Sequence, residues 1–158
     1  MNIFFAQKRT YIVHDSLVEF RLKVESIANR TLLDFSDNIV GKIEEDNRFS
    51  FTPKWSLAYI QWIERSPAYL TGTLNSELDK TIVKCTVRPN SLFIITFYLS
   101  VIILMWVLFG KNGFSNETKL FLLTFLPFGL LIVFGIMKYY TSQLRNRFEK
   151  IFRLKQYI

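Results

Sequence analysis

The sequence predicts an α+β membrane protein: a small antiparallel β-meander with one packed helix, then a two-helix transmembrane hairpin and a basic amphipathic C-terminal helix. Three observations lead there. Two uncharged apolar runs occupy residues 91–110 and 120–137. Short runs of strand-like composition, separated by polar turns, fill most of residues 1–90. Beyond residue 140, apolar residues recur at helical spacing among basic ones. The implied organisation is a cytoplasmic antiparallel α+β domain over 1–90, a hairpin over 91–140 and a basic amphipathic tail over 141–158.

The soluble part opens on residues 9–14 (RTYIVH), whose composition suits a strand. Ser16 and Glu19 then form a capping-box pattern, in which hydroxyl and carboxylate satisfy the exposed amides of a helix start. Leu17, Phe20, Val24 and Ile27 follow on one helical face, so a helix through about Asn29 is expected. Five strand-like runs come next: 38–44, 48–52, 58–64, 69–74 and 80–88. Their connections (45–47, 65–67, 75–79) are too short for parallel crossovers, so an antiparallel meander with the helix across it is expected. Phe49, Phe51, Ile60, Trp62, Val83 and Val87 are the expected core. Pro89 and Asn90 then lead the chain into the first apolar run.

Each apolar run is long enough to span about 30 Å as a helix, the thickness of a hydrocarbon core. A central Lys or Arg costs roughly 2.5–3.5 kcal/mol on insertion scales, while each Leu, Ile, Phe or Val returns roughly 0.3–0.6, so both runs favour insertion. Two buried helices of a soluble core would need more surrounding mass than 158 residues supply. Residues 111–119 (KNGFSNETK) form a tight polar loop, which makes the pair an antiparallel hairpin. Trp106, Tyr139 and Tyr140 suit interfacial anchoring. Pro127, Gly129 and Gly135 would bend or thin the second helix. Neither run holds an ionisable residue, which argues against a carrier or proton relay. A homo-oligomeric pore lined by Thr96, Ser100, Thr124 and glycine backbone stays open.

Charge sets the expected orientation. The chain has 20 Lys and Arg against 13 Asp and Glu, a formal charge of +7. Residues 1–90 are nearly balanced, which gives no footprint for a nucleic-acid polymer. Residues 138–158 hold six basic residues against Glu149 alone. The positive-inside rule places the head, the tail and both termini in the cytoplasm, with the hairpin in the inner (plasma) membrane. The opening MNIFFAQKR has too short an apolar stretch for a signal-peptide core. In the tail, Leu144, Phe148, Ile151 and Phe152 share one face, with Arg145, Arg147, Lys150, Arg153 and Lys155 over much of the rest. Two placements fit: a helix on anionic lipid of the inner leaflet, or a continuation of the second span whose stripe packs on the head.

Residue types that carry catalysis are sparse. The sequence has one cysteine, Cys85, and one histidine, His14. Cys85 alternates with Val83 and Val87 and reads as a packed core thiol. His14, just before a helix cap, reads as a surface or capping residue. Glu44, Glu45 and Asp46 lie between two strand patterns and read as a hairpin tip rather than a metal site. No glycine loop has phosphate-cradling spacing. The triplets starting at Asn29 and Asn116 match the glycosylation pattern, which is common by chance. No catalytic residue, no metal ligand and no cofactor is therefore expected, and a ligand site in the head is left unassigned.

The spacing Gly41-x-Ile43-x5-Phe49-x-Phe51, then Pro67-x4-Gly72-x-Leu74, Thr81-Ile82-Val83 and Arg88-Pro89-Asn90 resembles a group of small bacterial membrane proteins. These have a cytoplasmic β-rich head followed by two spans and a final helix rich in Phe and Lys. The resemblance covers most of the chain from about residue 38 and implies an architecture, with Gly41 and Gly72 as turn glycines and the phenylalanines as core. A looser similarity is to two-span β-barrel effectors of antiphage signalling, in which the spans precede the barrel; here the order is reversed.

The expected function is a membrane-anchored interaction or sensory module, with a protein or small-molecule partner at the head and lipid at the hairpin and tail. The alternative is an effector whose spans oligomerise and breach the membrane when the head is engaged, for example by a cyclic nucleotide. An enzyme ranks last.

Overall fold

The structure is a computed structural model that describes residues 5–13, 15–28, 39–44, 47–53, 66–77, 80–110 and 113–154. Five strands, β1 (Gln7–Val13), β2 (Ile39–Ile43), β3 (Arg48–Pro53), β4 (Ala68–Glu77) and β5 (Lys80–Pro89), form one antiparallel sheet. Three helices accompany it: α1 (Leu17–Ala28), α2 (Ser91–Phe109) and α3 (Asn116–Ile151). The α+β class and antiparallel sheet are therefore as expected. The expected strand over 58–64, with Ile60 and Trp62, lies outside the described residues, as does His14.

Sheet order is β1-β5-β4-β3-β2. The last four strands are a meander, while β1 returns to pair with β5 beyond it, Gln7 opposite Val87 through Val13 opposite Thr81. The β4–β5 ladder runs out to Glu77 opposite Lys80. The turn read over 75–79 is thus mostly strand: polar Asn75 and Ser76 sit on the ladder because its backbone pairs continue through them. Asn47, in left-handed conformation at φ 54°, follows the β2 end, and the Glu44 amide donates to the Arg48 carbonyl at 2.7 Å. Asparagine tolerates that conformation better than most residues.

The capping box forms as its residues predict: the Ser16 amide donates to Glu19 Oε2 at 3.0 Å, and the Glu19 amide to Ser16 Oγ at 3.3 Å. Phe20, Val24 and Ile27 are buried beneath α1. Thr81 Oγ1 donates to the Asp15 carbonyl, tying the start of this helix to β5.

Gly41 and Gly72 are not turn glycines. Each lies within a strand, directly opposite a phenylalanine: Gly41 faces Phe51 and Gly72 faces Phe49. A Cβ on Gly41 would come within 2.3 Å of the Phe51 ring, and one on Gly72 within 2.3 Å of the Phe49 ring. The missing side chains let two aromatic rings lie flat across neighbouring strands. Such pairing recovers packing that glycine forfeits in a sheet.

The two long helices are the expected apolar pair. Their best windows have mean hydropathies of 2.7 and 2.6, so both are long and apolar enough to cross a membrane. Only 11% and 6% of those windows is buried within the chain, unlike the core helices of a soluble domain. Helix α2 is capped by Asn90, whose Oδ1 accepts from the Leu92 amide at 2.7 Å. Helix α3 is capped by Ser115, whose Oγ accepts from the Thr118 amide, so the connecting loop is shorter than residues 111–119.

No separate tail helix exists among the described residues. Helix α3 runs 36 residues without interruption, about 54 Å at helical rise, and carries Pro127 inside it. Its final turns carry Leu144 and Phe148 into the head, where they and Phe152 join the buried cluster of Tyr11, Phe20, Phe49, Phe51, Leu70, Val83 and Val87. Phe148 stacks on Phe49 at 5.7 Å, and Phe152 on Phe20 at 4.9 Å. The sheet therefore carries two packed helices on one face, α1 and the end of α3, rather than one. The end of α3 is closed by Arg153 at φ 51°, with the Arg153 amide donating to the Lys150 carbonyl and the Leu154 amide to the Glu149 carbonyl. This is the Schellman pattern, and Leu154 packs on the core just after it.

Candidate functional site

Strand alternation gives the sheet two faces. Odd-numbered residues of β5 (Thr81, Val83, Cys85, Val87) are buried against α1 and α3, while Lys84 faces out. On the open face the registers align two rows of outward side chains across four strands. One row is Lys8, Thr86, Thr71 and Ser50; the other is Thr10, Lys84, Thr73 and Arg48. Between them runs the row Arg9, Cys85, Gly72 and Phe49. These belong by alternation to the covered face, so they present backbone to the open one.

The result is an open groove of about 590 Å³, lined by these three rows and by Glu44 at its β2 end. Its length is roughly 14 Å, three strand spacings, and its walls stand about 7 Å apart along the strands. Lys8, Lys84 and Arg48 are exposed, and none forms an ion pair with a described residue. Five hydroxyls, on Thr10, Ser50, Thr71, Thr73 and Thr86, stand among them. Cations and hydroxyls at this density can hold and orient an anion.

Toward the hairpin, the next row of the open face pairs Tyr69 with Arg88. The Arg88 guanidinium lies 4.9 Å from the Tyr69 ring centroid, and its Nη1 donates to Ser91 Oγ at 3.1 Å. Buried Asn90 secures the joint between sheet and α2: its amide donates to the Pro67 carbonyl, and its Nδ2 to the Ser66 carbonyl at 2.8 Å. Phe5, just before β1, packs edge-on to Phe97 of α2 and Phe134 of α3.

On the covered face a polar contact links sheet and α3. The Tyr11 hydroxyl donates to Glu149 Oε1 at 2.6 Å, and Arg145 Nη1 donates to Gln7 Oε1 at 2.8 Å. Burial, then the bond to Glu149, hold the Tyr11 hydroxyl well above the ordinary tyrosine range. Burial first, and the negative charge of Glu149 second, push the Cys85 thiol up to about 12. The thiol lies within the buried cluster on the covered face of the sheet.

Of the other residues singled out in the sequence, Glu44 is exposed at the groove rim, while Glu45, Asp46 and Asn29 lie outside the described residues. Among the described residues no three His, Cys, Asp or Glu side chains converge as a metal site would require. Asn116 is the first residue of α3. The Thr124 hydroxyl donates to the Leu120 carbonyl of its own helix. Gly129 and Gly135 face open space, with nothing within 4 Å of a built Cβ.

Sequence reasoning missed the groove. Its signal was present as alternation: Thr71 and Thr73 in β4, Lys84 and Thr86 in β5, Lys8 and Thr10 in β1 all hold the off-core parity. Compared with known protein families, with curated proteins and with solved structures, the chain matches none.

Proposed function

We propose that the protein is a membrane-anchored sensory or interaction module. Its head stands on the cytoplasmic side of the inner (plasma) membrane, both termini are on that side, and the hairpin anchors the head. The observation that carries this reading is the dual membership of α3. One helix supplies half of the apolar hairpin and, through Leu144 and Phe148, the centre of the head's core. Engagement of the head would therefore bear directly on the spans, with no flexible linker to absorb it.

Two experiments test it. In intact cells a membrane-impermeant maleimide should label Gly113→Cys in the loop but not Thr71→Cys in the head; the reverse pattern overturns the orientation. Removal of residues 141–158 should unfold the head, because its central ring goes with them. A head that stays folded without them would overturn the coupling.

A second reading, an effector whose spans assemble, is favoured by the open surface at Gly129 and Gly135, where another helix could approach closely. Dye-loaded vesicles distinguish it. Leakage that rises steeply with protein density and is lost in Gly129→Leu supports the effector, and intact vesicles at all densities remove it.

A further inference from the structure

The geometry points to the open-face groove as a binding site for a small solute carrying two phosphate groups. This deepens the reading of the head as a ligand-binding module and rests on it. Lys8 and Lys84 are diagonal neighbours on β1 and β5, with backbones about 7–8 Å apart, so their ammonium groups can close on one phosphate. Arg48 stands two strands from Lys84, about 10 Å away, and its guanidinium fork suits a second phosphate held through paired hydrogen bonds. The hydroxyls of Thr71, Thr73 and Thr86 lie between these two positions and would donate to bridging oxygens. Glu44 at the β2 end accepts but cannot donate, so it would receive a hydroxyl of the ligand and repel a third phosphate.

A merely solvated sheet face would be arranged differently. Cross-strand neighbours on such a face gain by pairing opposite charges. Here Lys8 lies opposite Thr86, Lys84 between Thr10 and Thr73, and Arg48 opposite Thr73. Lys8 and Lys84 are thus set among hydroxyls, and although Glu44 faces Arg48 across the β2–β3 hairpin the two form no ion pair, so none of the three cations is neutralised by a carboxylate among the described residues. The location also favours a solute over a lipid headgroup. Thr86 is four residues from Asn90 on β5, about 13 Å, with the Tyr69–Arg88 pair between groove and hairpin.

The test uses the full chain in nanodiscs of phosphatidylcholine, titrated calorimetrically with a hexose 1,6-bisphosphate, the 6-monophosphate and the free hexose. The bisphosphate should bind saturably with a dissociation constant below about 1 mM, the monophosphate more weakly and the hexose not at all. Lys84→Gln and Arg48→Gln should each weaken binding by about tenfold or more. Lys80→Gln removes the same charge from the same strand outside the groove and should leave the constant unchanged. In each variant, protection of Cys85 from a thiol reagent shows that the head is folded. Nanodiscs containing phosphatidylglycerol should bind the bisphosphate equally well; competition by that lipid would instead assign the groove to headgroups and overturn the solute. Absence of saturable binding, or equal losses in Lys80→Gln and Lys84→Gln, would overturn the site while leaving the maleimide and truncation results untouched.

Discussion

The two ends of α3 are built from the same residue types and treat them oppositely. Between residues 120 and 137 the helix is apolar all round, and Leu120, Phe121, Phe125, Phe128 and Leu131 are each more than half exposed within the chain. From 141 to 152 apolar residues shrink to one stripe, yet Leu144 and Phe148 are buried as deeply as any side chain in the molecule. An all-round apolar surface suits a solvent of hydrocarbon, while a stripe suits a partner on one side. One continuous helix therefore carries both patterns, and its sequence changes from one to the other where the helix enters the core of the head.

That contrast can be broken most sharply with phenylalanine. Phe148→Ala removes a ring packed among Tyr11, Phe49, Phe51 and Phe152, and should destabilise the head by roughly 3–5 kcal/mol in denaturant titrations. Phe128→Ala, at a position 64% exposed within the chain, should change head stability by no more than about 0.5 kcal/mol. Equal effects would mean that the helix end does not belong to the core.

Glycine offers a second, smaller contrast. Gly72→Ala drives a methyl into the Phe49 ring and to within 2.9 Å of the Lys84 carbonyl, which should cost about 1–3 kcal/mol of head stability by the same titration. Gly135→Ala meets nothing and gains helix propensity, so the isolated chain should be unchanged or more stable by up to about 1 kcal/mol.

Ionisation sharpens the joint between sheet and helix. The Tyr11 hydroxyl is protonated in the fold at pH values where it ionises in the unfolded chain. Its contribution is therefore complete below pH of about 10 and is lost as pH rises beyond that toward its folded value. Alkaline unfolding followed by circular dichroism should show this slope in the native chain and a shallower one in Tyr11→Phe. That variant should also lose about 1–3 kcal/mol at neutral pH, since Glu149 then keeps one partner fewer. Cys85, pushed up to about 12 by burial, should stay unmodified by iodoacetamide at pH 8 until the head unfolds.

Much of this was legible in the residues, for local reasons. The apolar runs announce themselves by length, the Ser16–Glu19 cap by spacing, and the burial of Phe49, Phe51, Val83 and Val87 by alternation. What was not legible depends on long-range register. Nothing near Gln7 says that it will lie opposite Val87, so β1 could not be placed beside β5. The pairing of Gly41 with Phe51 and of Gly72 with Phe49 needs that register as well, which is why both glycines read as turns. The groove was hidden for the same reason, since Lys8, Arg48 and Lys84 come from three strands far apart in sequence. The tail left two placements open because a basic helix with one apolar stripe suits a lipid surface and a protein core alike.

The continuity of α3 between its apolar half and the head is the centre of the account. Hydrogen–deuterium exchange of the full chain in nanodiscs reads it directly, at the amides of residues 138–148. Unbroken protection there, at the level of Leu70 and Val83 in the sheet, is the predicted result. Fast exchange across those residues beside a protected head and protected spans would mean that a hinge separates them, and would contradict it.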